Sequence, residues 1–339
     1  MAMAQQPEKV VFDTDSGPFG DDGVALVMLL QSPSKVALQG ITVVPGNVWP
    51  LQGAEDMLAH LKMMHRPDLG VYIGAEAPLI QTAAIAADAA RKFGKLEYIG
   101  AFAQKQPRSR RDLKKPFYGF SGLEAKSQNA VDFLIESVEK NPGQVTVFAI
   151  GPMTNLAMAM RIHPALETKI KRLVFMGGAV NVPGNASKTA EFNFWFDPEA
   201  ARIVLRSRIP SKVMFGLDIC NHAPIPKAVF QQIVAVKSPV TRIYRQDFGR
   251  GYPGFLGKHP KTAYLWDELT AAYLIDPTIV TKSESKYLDV DTAQTADYGR
   301  VIPLDRKLAP RATPVEVMLD LATSKAYALY RELLTKPVP

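Results

Sequence analysis

The stretch Val11-Phe12-Asp13-Thr14-Asp15-Ser16-Gly17-Pro18-Phe19-Gly20-Asp21-Asp22 sets four carboxylates within ten positions at the end of an apolar run. Carboxylates packed this closely repel one another, and a cation among them relieves the repulsion. No cysteine or histidine lies in the stretch, so the donors are all oxygen, which favours Ca²⁺ or Mg²⁺ over zinc. The chemistry on offer is therefore the holding of a hard divalent cation by carboxylates. A simpler account has Asp21 capping a helix and Asp13 holding the turn through side-chain to backbone hydrogen bonds. That account serves single residues and leaves the group of four unexplained.

Val10 to Phe12 begins a buried strand and Gly23 to Leu30 reads as a helix, so the aspartates occupy a strand-to-helix turn. The alternation recurs: strand 36–44, helix 51–64, strand 71–73, strand 144–150 into helix 153–160, strand 172–176, helix 198–207 and strand 212–217. Such alternation implies an α/β fold, a single domain over 8–335 with a mainly parallel, Rossmann-like sheet flanked by helices, preceded by a flexible N-terminus at 1–7. At the carboxyl ends of its strands the aspartates would face the ligand crevice of a doubly wound sheet. A last helix is expected over Pro314 to Leu334, with Thr313 as cap and Pro314 in its first turn. The irregular stretches Lys95 to Tyr118 and Tyr252 to Ala263 are long enough to be lids or binding loops.

The 339 residues are 47% hydrophobic and 22% charged, with no apolar run of eighteen, so the chain should fold as a globule and not span a membrane. The formal charge of +7 is spread thinly apart from Arg108, Arg110, Arg111, Lys114 and Lys115. No aromatic residues interleave with that cluster, so it reads as a solvated loop, and nucleic acid is not an expected partner. The single cysteine, Cys220, excludes an internal disulfide and reads as a core thiol. Ala2-Met3-Ala4 has the small-x-small form left by signal peptidase, so both a cytoplasmic and an exported, periplasmic location are compatible with the sequence.

An apolar strand ending in Asp-x-Asp also presents the nucleophile of haloacid-dehalogenase-type phosphatases. Those enzymes need later acidic residues and a lysine at further strand ends, whereas the second acidic pair here opens the first helix.

The turn resembles the N-terminal signature of the inosine-uridine nucleoside hydrolase family, Asp-x-Asp followed by a glycine and an Asp-Asp pair. Further segments agree in order: Gly40-Ile41-Thr42-Val43-Val44-Pro45-Gly46-Asn47, then Ile150-Gly151-Pro152-Met153-Thr154-Asn155, then Met176-Gly177-Gly178-Ala179. Gly184-Asn185, Ala190-Glu191-Phe192-Asn193, Asp197-Pro198-Glu199-Ala200 and Trp266-Asp267 follow. The resemblance implies calcium held by Asp15, Asp22, Asp267 and the main-chain carbonyl of Ile150, with Asp15 also the general base. It places Asp21, Asn47, Asn185, Glu191 and Asn193 on the ribose hydroxyls, Met176 near the sugar, and Asp13 behind the turn as support. It also implies a small-molecule ribonucleoside as substrate and a homodimer or homotetramer.

Three departures stand out. Five residues separate Asp15 from Asp21, a longer turn than the family's commonest form; isoleucine stands at 150 where threonine is usual; and Trp266 replaces a histidine often proposed to protonate the leaving base. Family members with tryptophan there favour purines, so the resemblance implies purine ribonucleosides, cut through an oxocarbenium-like ribosyl cation. Against this, a lone tryptophan also serves as an ordinary core or interface ring. Tyr118, Phe120, Tyr252 and Phe255 are candidates for a second stacking ring. Among the histidines, His60, His65, His163 and His222 read as packing residues, and His259 alone is placed to approach a base. Met57, Met63 and Met64 fall at core spacings. A binder of the same fold without turnover is the remaining alternative, but it would need no general base, and here Asp15 and the side-chain metal positions are filled.

Overall fold

The computed structural model describes residues 6–251 and 263–338. Its strands are β1 (Glu8–Thr14), β2 (Val36–Val43), β3 (Val71–Ile73), β4 (Val145–Ala149), β5 (Arg172–Met176), β6 (Lys212–Phe215), β7 (Val280–Val290), β8 (Val301–Leu304) and β9 (Val315–Leu321). They form one sheet in the order β3-β2-β1-β4-β5-β6-β9-β7-β8. From β3 to β9 every neighbouring pair is parallel, and β7 and β8 continue the sheet antiparallel. The parallel strands read as short apolar runs because helices cover both faces, and β1 is buried from Val10 to Thr14. One apolar core lies under helices Gly20–Leu30, Pro50–Met63, Asp267–Ile275 and Thr323–Thr335, and a second under Ala130–Lys140, Thr154–Ile162 and Pro198–Leu205. Cys220 and the three methionines are buried, as their spacing implies.

The chain runs outward from β1 through β2 to β3, then returns to place β4 on the other side of β1. That reversal is the switch point at which doubly wound sheets bind ligands. Register brings the relevant ends level, since Asp13 pairs with Thr42 on β2 and with Ala149 on β4. The segments that follow, Asp15 to Asp22, Gly46-Asn47 and Ile150-Gly151, therefore leave the sheet side by side.

The C-terminal helix is shorter than the sequence suggested. Val315–Leu321 is strand β9, and the helix runs only over Thr323–Thr335. The Thr313 hydroxyl donates to the Ile209 carbonyl at 2.6 Å instead of capping a helix. Alternation in Val-Glu-Val-Met-Leu-Asp-Leu, with burial on one side, settles the segment as a strand beside β6. Among the described residues, no helix is long and apolar enough to cross a membrane.

Candidate active site

At the carboxyl ends of β1, β2, β4 and β5 lies a cavity of about 580 Å³. Asp21, Asp22, Asn47, Ile150, Met176, Asn185, Glu191, Asn193, Trp266 and Asp267 all line it. Asp13 and Asp15 are not among its lining residues, and both are buried. Asp13 accepts hydrogen bonds from the Thr42 hydroxyl at 2.5 Å and the Asn155 amide at 2.8 Å, which ties β1 to β2 and to the helix Thr154–Ile162 that follows β4.

Asp21 and Asp22 open the helix Gly20–Leu30, and Asp267 opens Asp267–Ile275, two helices that pack together. Each of the three can offer an oxygen within 4.8 Å of the others. Asp15 stands outside this trio but joins it through Asn47. Its Oδ2 accepts the Asn47 main-chain N–H at 2.7 Å, while the Asn47 side-chain amide donates to Asp15 Oδ1 at 3.4 Å and to Asp22 Oδ2 at 3.3 Å. The Thr14 hydroxyl also donates to Asp22.

These carboxyls resist ionisation together. Burial and then the charge of Asp22 push Asp15 well up, burial and then Asp21 push Asp22 to about 7, and burial followed by Asp21 and Asp22 raises Asp267 well above the usual range. Burial lifts Asp21 to about 6. No lysine or arginine among the described residues lines the cavity to balance them. A divalent cation would supply the missing charge, and a donor set made only of oxygen suits Ca²⁺ or Mg²⁺.

The opposite wall is fixed by loops after β5. Both Glu191 oxygens accept main-chain N–H groups, Oε2 from Gly178 at 2.8 Å and Oε1 from Asn193 at 2.9 Å. Asn193 Nδ2 donates to the carbonyls of Ile150 at 2.9 Å and Met176 at 3.2 Å. Asn185 Oδ1 accepts the Phe192 N–H at 2.8 Å, which points its amide nitrogen elsewhere as a donor. A half-buried Trp266 has its main-chain N–H on Glu268 at 3.0 Å, and its indole N–H is buried without a hydrogen-bond partner among the described residues.

Several cavity residues were not foreseen. Tyr98, Gln104, Phe192, Asp247 and Phe248 line the cavity as well. Tyr98 rises from the irregular stretch before Tyr118, donates to Asn47 Oδ1 at 2.9 Å and packs on Phe192 with ring centres 4.6 Å apart. Tyr118 and Phe120, expected as stacking rings, are exposed and away from the cavity, and the Tyr118 hydroxyl donates to the Pro239 carbonyl at 2.6 Å. His60 is buried, while His163 and His222 pair with Glu139 and Asp320. No histidine among the described residues lines the cavity; His259, Tyr252 and Phe255 lie outside the described residues. The basic cluster is exposed, and Arg110 pairs with Glu55 at 3.4 Å.

The profile of the inosine-uridine preferring nucleoside hydrolase family matches residues 10–328. The chain belongs to this family. As a nucleoside hydrolase it cleaves the N-glycosidic bond of ribonucleosides, and the phosphatase alternative falls away. Similar curated proteins include the pyrimidine-specific ribonucleoside hydrolases RihA of Salmonella gallinarum, 32% identical with 96% of this chain and 97% of the relative covered, and of Salmonella schwarzengrund, 34% identical with 92% and 93% covered. Among solved structures, a purine-preferring ribonucleoside hydrolase from Gardnerella vaginalis superposes with a TM-score of 0.74 at 26% identity, covering 97% of this chain and 99% of its own. A plant nucleoside hydrolase shares the fold at a TM-score of 0.76 and 24% identity, with 98% and 100% covered.

Proposed function

We propose that this nucleoside hydrolase is calcium-dependent and prefers purine ribonucleosides. The observation that carries the metal is the convergence of Asp21, Asp22 and Asp267 within 4.8 Å, uncompensated by any cation of the protein among the described residues. Asp15, Asp22, Asp267 and the Ile150 carbonyl are the proposed ligands, with Asp21 beside them on the sugar. When bound, calcium supplies positive charge that acidifies a water and grips vicinal hydroxyls.

The residues of the chain then have distinct tasks. Asp15 accepts the proton of the attacking water. Asp21, Asn47, Asn185, Glu191 and Asn193 hold the ribose, each side chain already oriented by the hydrogen bonds described or by its place on the cavity wall. Met176 packs near the sugar. A 2′-deoxy substrate leaves such buried groups unpaired, so ribosides are strongly favoured. A cavity of this size accommodates a ribonucleoside.

Trp266 supports the purine reading, because it lines the cavity next to Asp267, where the proposal puts the leaving base. Stacking on it makes a purine a better leaving group without a histidine acid. The pyrimidine-specific names of the Salmonella relatives favour the other base class. Base release from inosine, guanosine, adenosine, uridine and cytidine decides between them. Faster release from the purines carries the proposal, and faster release from uridine and cytidine overturns its purine part.

A further inference from the structure

The residue before the helix Gly20–Leu30 is Phe19, which offers no side-chain cap, and the Asp21 carboxyl accepts the main-chain N–H groups of Asp21 and Asp22. The Gly20 N–H, ahead of these, needs a partner of its own. Here the partner comes from far away in the chain. Asp247, on the helix Pro239–Gly251, accepts the Gly20 N–H through Oδ2 at 2.6 Å across 227 residues of sequence. Gly20 takes φ +53°, a left-handed conformation that aims its N–H out of the turn and that a side chain would strain.

We infer that Asp247 is a positioning residue for the metal site, acting as the N-cap in trans that fixes where Asp21 and Asp22 stand. Gly20 immediately precedes these two aspartates, so the hydrogen bond sets the start of the helical turn that carries both. The clamp also answers the long interval between Asp15 and Asp21. Asp247 grips the far end of that turn at its last residue, Gly20. Asp247 further lines the cavity, and no hydrogen bond to its second oxygen exists among the described residues. The hydrogen bond, and not the negative charge, is what the position requires; an additional anion beside Asp21 only adds repulsion.

The inference rests on the calcium reading above, and the test separates the two. Calcium affinity is measured by titration calorimetry on metal-stripped wild type, Asp247→Asn and Asp247→Ala, with thermal melts on the same samples. The Asn amide oxygen can still accept from Gly20, so Asp247→Asn keeps wild-type affinity within about threefold, while Asp247→Ala loses about tenfold or more, the scale seen when supports of metal ligands are removed. If Asp247→Ala does not fold, Asp247→Ser, whose shorter hydroxyl falls short of Gly20, takes its place. Equal affinity in wild type and the Ala or Ser variant overturns the inference, as does an Asn variant weakened as much as they are, which would make charge the requirement. No calcium binding by wild type would instead overturn the calcium reading itself.

Discussion

Asn47 holds Asp15 by two hydrogen bonds, from its main-chain N–H to Oδ2 at 2.7 Å and from its side-chain amide to Oδ1 at 3.4 Å. The approach is close enough that the preceding residue must be glycine, since a Cβ at Gly46 would overlap the Asp15 carboxylate. Gly46→Ala should therefore displace the carboxylate while leaving the sheet intact. The expected outcome is a fall in kcat of about 10²-fold, in line with misplacing a catalytic group by an ångström, with far-ultraviolet circular dichroism unchanged. Wild-type kcat in this variant would show that the position of Asp15 does not matter.

Asp15→Ala tests the base directly. Removing a general base costs roughly 10²- to 10⁴-fold, so turnover should become undetectable in ordinary assays. Asp15 is a buried acid raised by its own burial and by Asp22, so Asp15→Asn in metal-free protein should melt no lower than wild type. A large loss of Tm in the Asn variant would point to a structural role in place of a chemical one.

Trp266→Ala should slow purine ribonucleosides more than pyrimidine ones, by about fivefold in the ratio of kcat/KM. One aromatic contact is worth on the order of 1 kcal/mol, and 1.4 kcal/mol is tenfold. Equal losses on both classes would remove stacking as the source of base preference.

His60 gives a pH prediction with a definite sign. Its Nε2 faces the Pro18 carbonyl at 2.9 Å, so that nitrogen carries the proton, and Nδ1 is buried without a partner among the described residues. Burial lowers the imidazole from 6.5 to about 4. Between those values the unfolded chain binds the proton and the folded one does not, so stability falls as pH drops through 6.5 and the loss is complete near 4. The difference in pKa corresponds to roughly 3 kcal/mol. Urea unfolding of wild type and His60→Gln across this range should show a steeper acid loss in wild type; parallel curves would refute the buried neutral imidazole.

Much of the site was written in short segments of sequence. The aspartates after Phe12 were legible because they sit at the end of an apolar strand and the start of a helix, where local pattern and topology agree, whereas the Gly-Asn after β2 and the Trp266-Asp267 pair were legible only through the resemblance to the family. What escaped detection depends on contacts between distant parts of the chain. Tyr98 reaches the cavity from an irregular stretch, held by Asn47 and Phe192. Asp247 matters through one hydrogen bond to Gly20, and nothing in the sequence around it signals that. β7 escapes a reading of the sequence because Thr281 to Ser285 are exposed and polar, an edge-like run paired with β9 with no apolar pattern to mark it. The segment 315–321 was taken for helix because apolar residues continue from it into the real helix, and only its place beside β6 separates the two.

The central claim is that an aspartate-held calcium ion enables this cavity to release a base from a ribonucleoside. The most direct measurement uses metal-stripped protein and follows release of free base from the purine and pyrimidine ribonucleosides, before and after calcium is restored, with a chelator as control. The account predicts no release without metal, release once calcium is added, and loss again on chelation. Undiminished release from the stripped, chelated protein would contradict it.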